Sequence, residues 1–128
     1  MKHYLLDTHT LLWHLDEDPD LSENAETIIG DPANIIHVSI ASIWEIGIKH
    51  GLGRLDLPKP FEQLIPDLRK DGFELLPISE VELNLLIRLP NHHRDPFDRM
   101  LIAQSLAYSF EIIGRDGAFD AYGVQRIW

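Results

Sequence analysis

Tyr4-Leu5-Leu6-Asp7-Thr8-His9-Thr10-Leu11-Leu12-Trp13-His14-Leu15 sets a short apolar run, an acid and a helix-length segment side by side. Tyr4-Leu5-Leu6 reads as a short buried strand, and the segment from Thr8 to about Leu15 as the helix that leaves it. The same order recurs along the chain. Ile35-Ile36-His37-Val38 reads as a strand followed by a helix from about Ser39 to His50, ended by Gly51 and Gly53. Phe73-Glu74-Leu75-Leu76-Pro77 reads as a third strand, and Ser79-Glu80-Val81-Glu82 opens a helix that ends near Pro90. Asp95-Pro96 opens a long helix to about Ser109, Glu111-Ile112-Ile113-Gly114 is the fourth strand, and Val124 to Ile127 is a candidate edge strand. Between these, Asp16 to Asp20 is a solvated acidic loop, Ser22 caps a helix to about Ile29 closed by Gly30, and Phe61 to Lys70 has helical spacing after the breaker Leu57-Pro58-Lys59-Pro60. Strands alternating with helices predict an α/β fold with a mostly parallel sheet of four to five strands and right-handed crossovers. Ligand sites in such sheets lie outside the carboxyl ends of the strands.

Composition bounds the rest. The 128 residues suit one domain, 1–128, with 45% hydrophobic and 25% charged residues, ordinary values for a globular chain. There is no cysteine, which excludes disulfides and thiolate metal sites. Met1-Lys2-His3-Tyr4-Leu5-Leu6-Asp7 meets an acid before a signal-peptide core could form, and no stretch is long enough to span a bilayer, so the expected location is the cytoplasm, away from membranes. The net charge of −10 runs against a general nucleic-acid coat, because phosphate contacts need lysine and arginine. It leaves room for an enzyme that holds RNA through a divalent cation and a few local cations, and it suits a basic protein partner.

Acids fall where the sheet rule places ligands. Asp7 follows the first strand and Asp116 the fourth; Glu45 and Asp98 lie near helix starts. Each has a structural explanation taken alone. Asp7 suits a helix N-cap. Glu45 suits a Ser42-x-x-Glu45 capping box or an i,i+4 pair with Lys49. In Asp95-Pro96-Phe97-Asp98, Asp95 suits N-cap, Pro96 N1 and Asp98 N3. Asp116-Gly117 suits a turn. Taken together they are expected to face one edge, where converging carboxylates would repel, a single pair at ~4 Å by about 4 kcal/mol at an effective dielectric of ~20. A hard divalent cation with oxygen ligands, Mg2+ or Mn2+, relieves that repulsion. Adjacent His92 and His93 read as loop residues touching solvent, and Trp13 and Trp44 as core or dimer contacts.

Leu5-Leu6-Asp7-Thr8-His9, Trp44-Glu45-Ile46, His93-Arg94-Asp95-Pro96-Phe97-Asp98-Arg99-Met100-Leu101-Ile102-Ala103-Gln104 and Arg115-Asp116-x-x-Phe119 occur in this order. The set resembles the PIN-domain family, in particular its VapC-like toxin ribonucleases of type II toxin–antitoxin systems, and the resemblance runs from Asp7 to the terminal strand. It implies a three-layer α/β/α sandwich and an Mg2+- or Mn2+-dependent endoribonuclease. It makes Asp7, Glu45, Asp98 and Asp116 both catalytic and metal-binding. Thr8 would orient a water or a carboxylate, and Arg99 and Arg94 would contact phosphate. It further implies an RNA substrate, a cognate antitoxin and a homodimer. The family often carries a hydroxyl residue where this chain has Gly114. The alternative from another class is a catalytically silent PIN-fold interaction module that works through antitoxin binding. A receiver-type phosphoacceptor is disfavoured because the last lysine is Lys70, a haloacid-dehalogenase-type phosphatase because His9 replaces the second acid, and a nucleotide switch because no glycine-rich phosphate loop exists.

Overall fold

A computed structural model describes residues 2–128. In β1 (His3–Leu6), the period-two geometry of a strand turns Tyr4 and Leu6 to one face and Leu5 to the other. The two faces feed two separate cores. Tyr4 and Leu6 join Ile36, Val38 and Ile113 with Leu11, Ala25, Ile43, Ile46 and Leu68. Leu5 joins Ile112 and Leu76 with Leu101, Ile102, Ala103, Phe119 and Val124. The first core is completed by α1 (Thr8–Leu15), α2 (Glu23–Gly30), α3 (Ile40–Gly51) and α4 (Leu64–Lys70), and the second by α5 (Glu80–Arg88) and α6 (Pro96–Tyr108). The result is the three-layer α/β/α sandwich expected.

The other strands are β2 (Ile35–Ser39), β3 (Glu74–Leu76), β4 (Glu111–Ile113) and β5 (Arg126–Ile127). They pair in the order β3-β2-β1-β4-β5, and each pair is parallel. Leu5 stands opposite His37 on one side and Ile112 on the other. From β1 the chain builds outward to β2 and β3, then crosses over to β4 and β5. The direction of winding therefore reverses between β1 and β4, and the crevice of such a sheet opens at the carboxyl ends of those two strands.

Several boundaries differ from expectation for local reasons. Gly30 does not close α2 but lies within it. The helix stops at Asp31, which sits at φ −81° and ψ 114° because Pro32 follows and disfavours the helical region. Gly51 likewise lies inside α3, and Gly53 at φ 71° makes the turn. The segment from Phe61 is split into a 3-10 turn, Phe61–Gln63, and α4. Pro66 is the cause: it has no N–H to bond the Glu62 carbonyl in a continuous α-helix, yet it fits the first turn of α4. After β4, Gly117–Tyr122 forms a 3-10 helix where a plain turn was expected. Among the described residues, no helix is long and apolar enough to cross a membrane.

One buried acid is spent on architecture. Glu82, fully buried on α5, accepts hydrogen bonds from the Ser79 hydroxyl, from Tyr108 Oη at 3.1 Å and from Gln104 Nε2 at 3.5 Å. It thereby locks α5 onto α6, the helix that carries the Asp95-Pro96-Phe97-Asp98 turn. Glu82→Ala removes the acceptor shared by Ser79, Tyr108 and the buried Gln104 and is expected to cost about 1–3 kcal/mol of stability. Urea unfolding measures this, and an unchanged midpoint would refute the role.

Candidate active site

The crevice between β1 and β4 collects acids because each strand ends on one. Asp7 leaves β1 with its amide bonded to Ile113 O at 3.0 Å, which fixes it against the end of β4. Its backbone has N-cap geometry, yet its side chain makes no cap hydrogen bond, so the carboxylate is free for another use. It is buried, 4% exposed. Gly114 explains how it fits. A Cβ at that position would stand 3.0 Å from Asp7 Cβ and 3.3 Å from Asp7 Oδ2, tight enough that Asp7 would have to give way slightly. The missing side chain is thus the space that Asp7 occupies.

Glu45 comes from α3. Ser39 caps that helix, accepting from the Ala41 amide at 3.0 Å, so the helix begins at Ile40. A capping box from Ser42 to Glu45 is therefore ruled out. The i,i+4 pair does form, with Lys49 Nζ 2.7 Å from Glu45 Oε2. The other oxygen, Glu45 Oε1, is buried without a hydrogen-bond partner. Thr8 donates its hydroxyl to Ser42 Oγ at 2.8 Å, tying the start of α1 to the first turn of α3. Thr8 thus holds the two acid-bearing elements together, its hydroxyl spent on Ser42.

The third and fourth acids are divided from their capping neighbours. Asp95 caps α6, accepting from the Phe97 and Asp98 amides at 2.8 and 3.1 Å. This leaves the Asp98 carboxylate available, with Oδ2 3.1 Å from His93 Nε2. Asp116 uses Oδ1 to cap the 3-10 helix through the Ala118 amide at 2.9 Å, while Oδ2 stands 3.9 Å from His93 Nε2. One donor atom from each of His93, Asp98 and Asp116 falls within 4.8 Å of the others. His93, expected to face solvent, is half-buried between two acids. Its place in His93-Arg94-Asp95-Pro96-Phe97-Asp98, one turn ahead of Asp98, was the available signal.

The electrostatics tie the set together. Burial raises the Asp7 pKa from 3.8 to about 6; the nearby Thr8 and His9 amides lower it, and the charges of Glu45 and Asp116 raise it further. Burial also raises Asp98 from 3.8 to about 7, with Asp7, Asp95 and Glu45 adding to the rise and His93 opposing it. Every one of the four acids therefore lies in the field of another.

The expected phosphate contacts separate. Arg94 is exposed and makes no hydrogen bond or ion pair among the described residues. Arg99 is corrected: its guanidinium donates to the carbonyls of Leu86, Leu89, Pro90 and His93 and to Tyr122 Oη. It terminates α5 and pins the loop that carries His93, leaving little to offer a phosphate. Of the two roles expected for Trp44, core or dimer contact, the core role is excluded, because it is 59% exposed and edge-on to Phe97 at 5.2 Å. Trp13 belongs to neither core.

The sequence matches the PIN domain family over residues 4–125. The chain belongs to the PIN-domain family. Ribonuclease VapC16 of Mycobacterium tuberculosis is 36% identical over 61 residues, covering 47% of this chain and 43% of that protein. The match thus spans less than half of that relative. The PIN domain also resembles the VapBC2 structure from Rickettsia felis bound to a DNA fragment from their promoter, at TM-score 0.72 and 16% identity over 98% of this chain and 97% of that one. FitAcB from Neisseria gonorrhoeae follows at TM-score 0.67 and 20% identity, over 98% and 96%. FitAB bound to an IR36 DNA fragment gives 0.65 and 21%, over 97% and 93%. At these identities the likeness is one of fold.

Two outcomes test this geometry. Because the Asp7 and Asp98 pKa values are raised on folding, the native state binds more protons than the unfolded chain above about pH 4, and stability falls as pH rises towards 7. At about 1.4 kcal/mol per unit, the Asp7 shift alone represents on the order of 3 kcal/mol. Metal-free protein should unfold at lower urea at about pH 8 than at about pH 5 by an amount of this size, and Asp98→Asn should flatten the profile. A profile unaltered by that substitution counts against the cluster. Gly114→Ser should push Asp7 out of place and weaken divalent-ion affinity by about 10-fold or more, read by calorimetric titration.

Proposed function

We propose that this PIN domain, residues 1–128 as one unit, is a divalent-metal-dependent endoribonuclease acting in the cytoplasm as the toxin of a toxin–antitoxin pair. The observation that carries the reading is Glu45 Oε1, a buried carboxylate oxygen without a partner, beside Asp7 and Asp98 whose charges oppose it. Buried polar atoms are almost always satisfied, and an orphan among repelling acids fits a missing cation. The donors are carboxylate oxygens and one imidazole with no thiolate, a set suited to Mg2+ or Mn2+. Asp7, Glu45, Asp98 and Asp116 would hold the ion, with His93 alongside.

When bound, such an ion polarises a phosphate oxygen, promotes attack by water on phosphorus and steadies the leaving ribose oxygen. The chain's own residues supply the frame. Asp7 and Glu45 are set by the Thr8–Ser42 hydrogen bond and by Lys49, which keeps Glu45 Oε2 engaged. Asp98 and Asp116 are drawn together by His93, whose loop Arg99 holds. Arg94, exposed and without a hydrogen bond or ion pair among the described residues, would be free to meet the RNA backbone.

An apolar groove of about 330 Å³ supports the antitoxin as partner. Leu12, Leu15, Leu57, Leu64 and Leu68 line it with Asp16, Asp56, Asp67 and Asp71 and with Lys59 and Lys70, of which Lys59 is paired with Asp67 at 3.2 Å. The acids outnumber the lysines, which suits an apolar segment with basic flanks. Trp44, Ile48 and Leu52 repeat every fourth residue along α3 and are exposed, an apolar stripe that supports a homodimer.

Incubation of purified protein with defined RNAs in Mg2+ or Mn2+ tests the reading. Wild type is expected to cleave, chelator to abolish cleavage, and Asp98→Asn or Asp7→Asn to slow it by about 100-fold or more. Folded wild type that cuts no RNA with either ion would leave the silent interaction module in its place.

A further inference from the structure

Beside the acids, the same crevice opens into a cleft of about 410 Å³ lined by Asp7, His9, Trp13, Arg115 and Asp116. His9 and Trp13 lie four residues apart on α1, so both project from one helix face, with ring centroids 5.8 Å apart. Arg115 arrives from the opposite wall, one residue before Asp116 on the exit from β4. Its guanidinium carbon lies 4.6 Å from the centre of the Trp13 ring. Trp128 backs the indole from another side at 5.6 Å.

Neither core accounts for these groups. Trp13 is only partly buried and stands outside both cores. His9 and Arg115 are exposed. Among the described residues, Arg115 makes no hydrogen bond and no ion pair, so its guanidinium donors are unspent although an acid sits next to it in the chain. In a molecule of net charge −10, a cation held on an aromatic ring at the mouth of an acidic crevice has a local use.

We propose that His9, Trp13 and Arg115 form a subsite for one unpaired nucleotide of the RNA, its base stacked on the aromatic wall and its phosphate met by Arg115. This rests on the ribonuclease reading and adds to it the residues that would hold one base and its phosphate beside the acids. Indole, imidazole and guanidinium are the side chains on which bases stack, and stacking demands a base free of its helix. The cleft is within the ~300–1,000 Å³ range of small-ligand sites. The α1 wall follows Asp7 and the β4 wall carries Asp116, so a nucleotide held here lies next to the proposed reaction centre. A phosphate there would otherwise face only acids, and Arg115 offsets their repulsion.

The test uses full-length protein in the Asp98→Asn background, so that RNA is bound without being cut, and short single-stranded RNAs as the probe. Trp13→Ala is expected to weaken binding by about 5- to 100-fold, and Trp13→Phe to restore most of it. An RNA with an abasic site at the stacked position should bind the Trp13→Ala protein and its parent alike, a coupling that loss of folding would not produce. Arg115→Ala should lower the slope of log affinity against log salt by about 0.7. In the otherwise native enzyme, Trp13→Ala should raise KM more than it lowers kcat. If both substitutions leave affinity, KM and salt slope unchanged while wild type still cuts RNA, the subsite is refuted and the ribonuclease reading survives. If no RNA is bound or cut by any form, the ribonuclease reading fails and the subsite with it.

Discussion

Carboxylates brought together at the end of a parallel sheet repel one another, and the fold is arranged to hold them there. Asp7 cannot retreat because its amide is bonded to Ile113 O and its side chain fills the space left by Gly114. Glu45 is carried on a helix whose start is locked to α1 by two hydroxyls. Asp98 is kept free by a neighbour, Asp95, that takes over the capping of α6. In each case a local interaction removes an escape route for the charge. The consequence is the raised pKa of Asp7 and Asp98, to which burial contributes most and the neighbouring carboxylates add.

Much of this arrangement was legible in the residues, because the period of each element is written in short range. Tyr4-Leu5-Leu6 and Glu111-Ile112-Ile113 read as strands, and the acids after them fall at the crevice by the rule for parallel sheets. Asp95 as N-cap and Pro96 as first helical residue were equally local facts. The elements misjudged depend on partners far along the chain. Arg99 reads as a phosphate ligand beside an acid motif, and only the end of α5 and Tyr122 reveal that its donors are already engaged. His93 reads as a loop residue until Asp116, from another strand, closes on its far side. Trp44 has the composition of a core residue, but its position on the outer face of α3 follows from where Ile43 and Ile46 pack.

The charge of the chain, which argues against nucleic acid as a partner, looks different once the acids are located. Several belong to the crevice, and others, Asp16, Asp56, Asp67 and Asp71, rim an apolar groove on the α1–α4 side. Net charge sums over surfaces with separate tasks, so it bounds non-specific binding without bounding a local site. The local balance at the crevice is the relevant quantity, and there Lys49 and Arg115 stand beside the acids.

These cations are not equivalent, and the difference lies in what each already touches. Lys49 is committed to Glu45 at 2.7 Å, so its charge steadies an acid and is only indirectly available to a substrate. Arg99 is consumed by carbonyls and shapes the loop. Arg115 is held only by the face of an indole, a contact that leaves its hydrogen-bonding edge open. A guanidinium in that state keeps its orientation without losing its donors, which is what a phosphate site in an acidic crevice requires: a cation near enough to offset the carboxylates but not neutralised by them.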